Sequence, residues 1–133
     1  MDLTVWMESW QMECCGEPFR IGSQISWSLL DADEQWLADV IGAEAAARVD
    51  AAENHHGGWM DDSVEQSATT GTVAAIAAVH CRYAPRPGAS PHTHRPVPGS
   101  GTLTPLTAAE RRTPDHGELE FTGFLVELND VRR

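Results

Sequence analysis

Residues 84–101, APRPGASPHTHRPVPGSG, carry five prolines and three glycines, and no other stretch limits the fold as strongly. Proline lacks the N–H that a helix interior or a central strand requires, and its ring fixes φ. The segment therefore reads as an extended loop, with regular structure confined to its two flanks. In a chain of 133 residues those flanks are too short for two packed cores, so 1–133 reads as a single domain. Apolar residues make up 41% of the chain, enough for one core and above a disordered composition. All five tryptophans (Trp6, Trp10, Trp27, Trp36, Trp59) fall in the first half. The expected core is accordingly laid down mainly by residues 1–60 and closed by later strands.

Hydrophobic period assigns the elements. LTVWME, residues 3–8, is apolar and β-prone and reads as a first strand. Gly16 and Pro18 mark a turn. Over 19–30, Ile25, Trp27 and Leu29 alternate with Gln24, Ser26 and Ser28, the period of a strand with one buried face. The phrase Phe-x-Ile-Gly-x-x-Ile-x-Trp in this run resembles the opening of small SH3-like or OB-like barrels. The period then changes. Trp36, Leu37, Val40 and Ile41 recur at helical spacing, with Asp33 placed to cap the first turn and Glu34 at its positive end. The spacing predicts a helix over 33–41, stopped at Gly42, and the alanine-rich run after it predicts a second helix over 43–55. Residues 57–70 read as a loop. From Gly71, TVAAIAAVHCRY reads as a strand with Val73, Val79, Cys81 and Tyr83 on one face. Residues 102–117 read as irregular or as one short strand. ELEFTGFLVEL, residues 118–128, sets Leu119, Phe121, Gly123 and Leu125 against Phe124, Val126 and Leu128. Apolar groups on both faces predict a central strand. The fold class is α+β: a small, bent antiparallel β-sheet or partly open SH3/OB-like barrel, with a helical pair inserted after the second strand.

Charge narrows the partners. Nine basic residues, all arginine, face 20 acidic ones, for a net charge of -11. Such a surface repels a phosphate backbone at long range, so direct nucleic-acid binding is disfavoured. The acidity fits plain solubility; mimicry of nucleic acid by a carboxylate-studded surface is the sharper alternative. No run approaches the roughly 20 consecutive apolar residues of a membrane span. MDLTVWMESWQ has neither the basic nor the apolar region of a secretory signal, and the expected address is the cytoplasm.

The phrases VWMESWQMECCGEPFRIGSQISW, AARVDAAENHHGG, PVPGSG and FTGFLVEL together resemble a family of short bacterial proteins known only as a domain of unknown function. CCGEPF is the most distinctive of them. The resemblance covers most of the chain and implies no activity, substrate or cofactor.

Thiols and imidazoles are the residue types that could carry chemistry. Cys14 and Cys15 sit in a predicted turn, His55 and His56 at a predicted helix end, and Cys81 late in a predicted strand after His80. An odd number of cysteines without an export signal argues against a disulfide framework, and adjacent cysteines rarely bridge. Zinc would need four N/S ligands, usually paired two to four residues apart, and that spacing is absent. Neighbours in a strand point to opposite faces, so a site would take one member of each doublet, such as Cys15, His56 and Cys81. Without metal, the cysteines pack as small hydrophobes and the histidines favour a helix C-terminus. His92 and His94 fit loop composition.

No nucleophile signature, phosphate-cradling loop or dinucleotide fingerprint occurs. The leading reading is a non-catalytic binding or regulatory module that presents a barrel or loop surface to a protein partner or small ligand. A thiol- or zinc-dependent enzyme, or a structural zinc protein, centred on Cys15, His56 and Cys81 is the alternative from another class. Any of Trp6, Trp10 and Trp59 that proves exposed would be a binding anchor.

Overall fold

The structure, a computed structural model, describes residues 2–14, 16–53, 68–85 and 94–132. In chain order the first elements are β1 (Leu3–Glu8), α1 (Ser9–Cys14), β2 (Phe19–Arg20), β3 (Gln24–Trp27) and β4 (Leu29–Leu30). Two helices follow, α2 (Glu34–Ile41) and α3 (Ala43–Ala46), then β5 (Ala51–Glu53). The later elements are β6 (Thr69–Cys81), β7 (Tyr83–Pro85), β8 (His94–Pro96), β9 (Thr102–Leu106), β10 (Ala108–Ala109) and β11 (Glu120–Arg132).

The fold is mixed α+β, with few helices and one strongly curled half-barrel sheet. Strands β6 and β11, each 13 residues long, run antiparallel as its spine. β1 pairs antiparallel with the other edge of β11, from Leu3↔Leu128 to Glu8↔Gly123. β5 joins β1 in parallel and β4 closes that side against β5. Across the spine, β3 pairs with the start of β6 and β9 with its later part. The path β3-β6-β11-β1-β5-β4 therefore ends on two strands separated in sequence by Ser28 alone. β11 is the central strand that its two apolar faces predict.

Two hydrophobic clusters sit on opposite faces of the sheet. The inner one gathers Val5, Met7, Phe19, Trp27, Val73, Ile76, Phe124, Val126 and Leu128 among others. Its aromatic rings meet edge-on, Phe19 with Trp27 at 5.2 Å and with Phe124 at 6.3 Å between centroids. The outer cluster gathers Trp6, Val79 and Cys81 of the sheet with Leu37, Val40 and Ala46 of the two helices. The core is shared more evenly than expected: among the described residues, β6 and β11 supply nine of the buried hydrophobic side chains and residues 1–60 supply eleven.

Several expectations change for identifiable reasons. The run 19–30 is three strands, because Gly22 turns with φ 94 and β3 and β4 then take partners at opposite ends of the sheet. Strict alternation fails at three register shifts between β6 and β11, the last of them between Asn129 and Arg132. The other two lie between Phe121 and Gly123 and between Glu127 and Leu128. The first puts Phe121 on the face of Phe124; the second leaves Val73 beside Ile76 in the inner cluster, parted from Val79. α2 starts as predicted, with the Asp33 carboxylate accepting from the Trp36 N–H at 3.1 Å. The second helix stops at Ala46, short of the predicted 55. Asp50 is claimed by β1, its N–H donating to the Thr4 carbonyl and its carboxylate accepting from the Thr4 N–H, both at 2.8 Å. The tertiary pairing overrides alanine's helix propensity. α1 replaces part of the predicted turn. Pro85 and Pro96 lie in a two-stranded ribbon, β7 with β8, and Pro105 in β9, which pairs with β6 alone; edge strands tolerate proline.

Two glycines mark where layers touch most closely. A Cβ at Gly101 would strike the Val40 carbonyl, and one at Gly123 would strike the Met7 carbonyl and come within 2.7 Å of the Trp6 ring. Gly123 therefore lets the edge of the Trp6 ring come close to the backbone of the spine. Gly123→Ala is expected to destabilise the fold by roughly 1–3 kcal/mol, the usual cost of overpacking, measured by urea unfolding with the slope unchanged.

Candidate functional site

Alternation in β1 turns Leu3, Val5 and Met7 inward and sends Trp6 and Glu8 to the outer face. There the Trp6 and Trp36 rings meet at 5.8 Å and 56°. α1 begins directly after Glu8 and carries Trp10, which is 51% exposed. The Gln11 side chain donates to the Glu53 carbonyl at 2.9 Å, pinning α1 against β5. The β4–α2 link brings Leu30, Asp31 and the capping Asp33 to the same place. These pieces enclose a cleft of about 410 Å³ walled by Trp6, Trp10, Trp36 and Leu30, with Glu8, Asp31, Asp33 and Glu53 around it. Of the large apolar side chains that stand exposed among the described residues, Trp10 and Leu30 both belong to this cleft. Among the described residues, none that lines it is basic.

A second polar group lies on the same face. The Thr122 hydroxyl donates to the Glu120 carbonyl at 3.2 Å and accepts from the Tyr83 hydroxyl at 3.4 Å. The Cys81 sulfur is 3.2 Å from it. Thr122 is the residue that the bulge adds to β11, so the bulge itself supplies the hydroxyl that gathers Cys81 and Tyr83.

The sequence-derived site residues are placed as follows. Cys14 ends α1, with its side chain outside what is described; Cys15, His55, His56 and Trp59 lie outside the described residues altogether. Cys81 is fully buried and bonded to a neutral hydroxyl. His80, its neighbour, points to the opposite face. It is fully buried, lies 2.9 Å through Nε2 from the Pro114 carbonyl, and stacks on His116 at 3.8 Å. Adjacent residues in a strand do not make a thiol–imidazole pair. Among the described residues, no three acidic, histidine or cysteine side chains are grouped to hold a metal ion. Sequence reasoning missed the cleft, although the outward phase of Trp6 and Glu8 in LTVWME and the Asp33–Trp36 cap were its visible signals.

Burial shapes the ionisation of two groups. It pushes the Glu8 carboxyl above its ordinary 4.5, against a smaller opposite pull from the Trp6 indole N–H. The native state then keeps a proton that the unfolded chain has released, so stability declines as pH climbs from 4.5 through the raised value. Glu8→Gln is expected to raise the melting temperature at pH 7 and to leave it nearly unchanged at pH 4, by thermal unfolding at the two pH values. Tyr83 is pushed up to about 12, first by burial, then against the Thr122 hydrogen bond, with Cys81 and Glu8 adding to the rise. It is the chain's one tyrosine, so phenolate absorbance reports it alone. The midpoint is expected at about 12 in the folded protein and near 10 in denaturant, and Cys81→Ala should lower the folded value. Stability correspondingly falls as pH rises between those two midpoints.

No curated protein and no solved structure matches this chain. A family model does match, over residues 1–130, and the chain belongs to the Family of unknown function DUF6578.

Proposed function

We propose that this protein is a non-catalytic binding module and that the tryptophan-walled cleft is its ligand surface. The observation that carries the reading is the convergence of two exposed apolar side chains, Trp10 and Leu30, on one concavity already walled by Trp6 and Trp36. Exposed apolar groups scattered singly need no explanation. Gathered at a cleft, they are what ligand sites and interface anchors are made of. A volume of about 410 Å³ suits a small ligand or one or two side chains of a partner. The cleft also rests on rigid parts: a sheet face, a capped helix and the α1–β5 tie. Among the described residues catalysis draws no comparable support, since Cys81 is sealed in the outer core and His80 faces away from it.

The test is a screen of small aromatic and amine fragments by amide and indole NMR. Shifts are expected to concentrate on the Trp10 and Trp36 indole signals and the first turn of α2. Trp10→Ala should abolish them while leaving the rest of the amide spectrum that of the folded protein. Shifts gathered elsewhere on the sheet, with this cleft silent, would refute the reading.

A further inference from the structure

Taking the cleft as the binding surface, we propose that its occupant is an organic cation, an alkylammonium headgroup held between tryptophan faces and carboxylates. This rests on the reading above and adds the chemistry of the ligand.

Three features of the cleft argue for it together. The first is its walls. Trp10 and Trp36 line the cleft without being wholly buried, and Trp6 packs against Trp36. Indole is the best of the aromatic side chains at attracting a cation to its face. An apolar ligand would be served as well by such walls, so they do not decide alone.

The second is the sign of the charge. Glu8, Asp31, Asp33 and Glu53 contribute to the lining and, among the described residues, no arginine does. An anionic ligand would meet repulsion, and a neutral one would bring no counter-charge to the carboxylates it covers. A cation reverses both effects. The Asp33 carboxylate shows that this charge is fixed in place, since one of its oxygens already accepts from the Trp36 N–H. The donor is the Trp36 backbone amide, so the bond places the Asp33 carboxylate at the start of the helical turn that carries Trp36.

The third is the hardness of the cation. A chelated metal needs several oxygen donors closing on one point, and the carboxylates here are not grouped so among the described residues. Aromatic faces give no lone pairs to a metal. They do suit the diffuse charge and methyl surface of an alkylated ammonium. The net charge of -11 adds long-range attraction for any such ligand.

The experiment titrates the wild-type protein with choline and with 3,3-dimethylbutan-1-ol, its neutral isostere, following tryptophan fluorescence and the indole NMR signals. Choline is expected to bind saturably at the cleft, at least about tenfold more tightly than the isostere, the ratio that a partly desolvated cation–π contact supports. Asp31→Asn and Trp10→Ala should each weaken choline several-fold with the melting temperature held. A trimethyl-lysine amide brings the same headgroup from a polypeptide source. Tighter binding of it than of choline would place the natural headgroup on a protein side chain, and the reverse order on a free small molecule; both support the proposal. Equal affinity for choline and its isostere would overturn the cation while leaving the binding cleft standing. Absence of choline and trimethyl-lysine binding, with neutral fragments filling the cleft, would do the same. A cleft silent to every probe would overturn both readings.

Discussion

The chain passes from β3 to β4 through a single residue, Ser28, yet those strands occupy the two ends of the six-strand path. A flat sheet would hold them several strand spacings apart, at nearly 5 Å each. The sheet must therefore curl until its ends come within reach of one peptide link. Ordinary twist alone does not do this over so few strands. The bulges between β6 and β11 add the bend, and Phe19, Trp27 and Phe124 fill the space that the bend encloses. Everything else follows from this closure, including the convex outer face on which α2 and α3 lie and the cleft at their margin.

The same bulges explain what the sequence shows and what it hides. Strand identity is legible in residues 3–8 and 120–128 from their apolar, β-prone composition; in 71–81 the alanines fit either period, and the β-branched residues and the leading Gly71 tip the reading to strand. Facing is legible only between bulges. One extra residue at Thr122 moves Phe121 to the other side, and nothing in EFTGFL announces it except the glycine that lets Trp6 approach. The capped helix at 34–41 is visible since its cap, charge and period agree. The end of the next helix is not, because Asp50 is drawn away by Thr4, a residue 46 positions earlier.

The site is less legible still. Composition directs attention to cysteine and histidine, whose doublets look like chemistry. In the structure Cys81 and His80 serve opposite cores, and the bulge hydroxyl of Thr122 accounts for the thiol's surroundings. The cleft uses unremarkable residue types from β1, α1, the β4–α2 link, α2 and β5. No short motif contains it, since its parts meet only after the sheet has curled. Tryptophan count hints at it weakly: Trp10 is the one described tryptophan that faces solvent to a large extent.

β11 lies between β6 and β1 and is the last element of the fold to be synthesised. While the ribosome is still adding it, β1 lacks its antiparallel partner and β6 has one long edge open. The sheet cannot be completed outward from its beginning; it waits for its centre. Until β11 emerges, β1 keeps its long antiparallel edge open with only the short β5 beside it, a state that favours chaperone contact or association between chains. Folding is also dominated by pairings across nearly the whole sequence, such as Leu3 with Leu128, which places this small protein among the slower folders of its size.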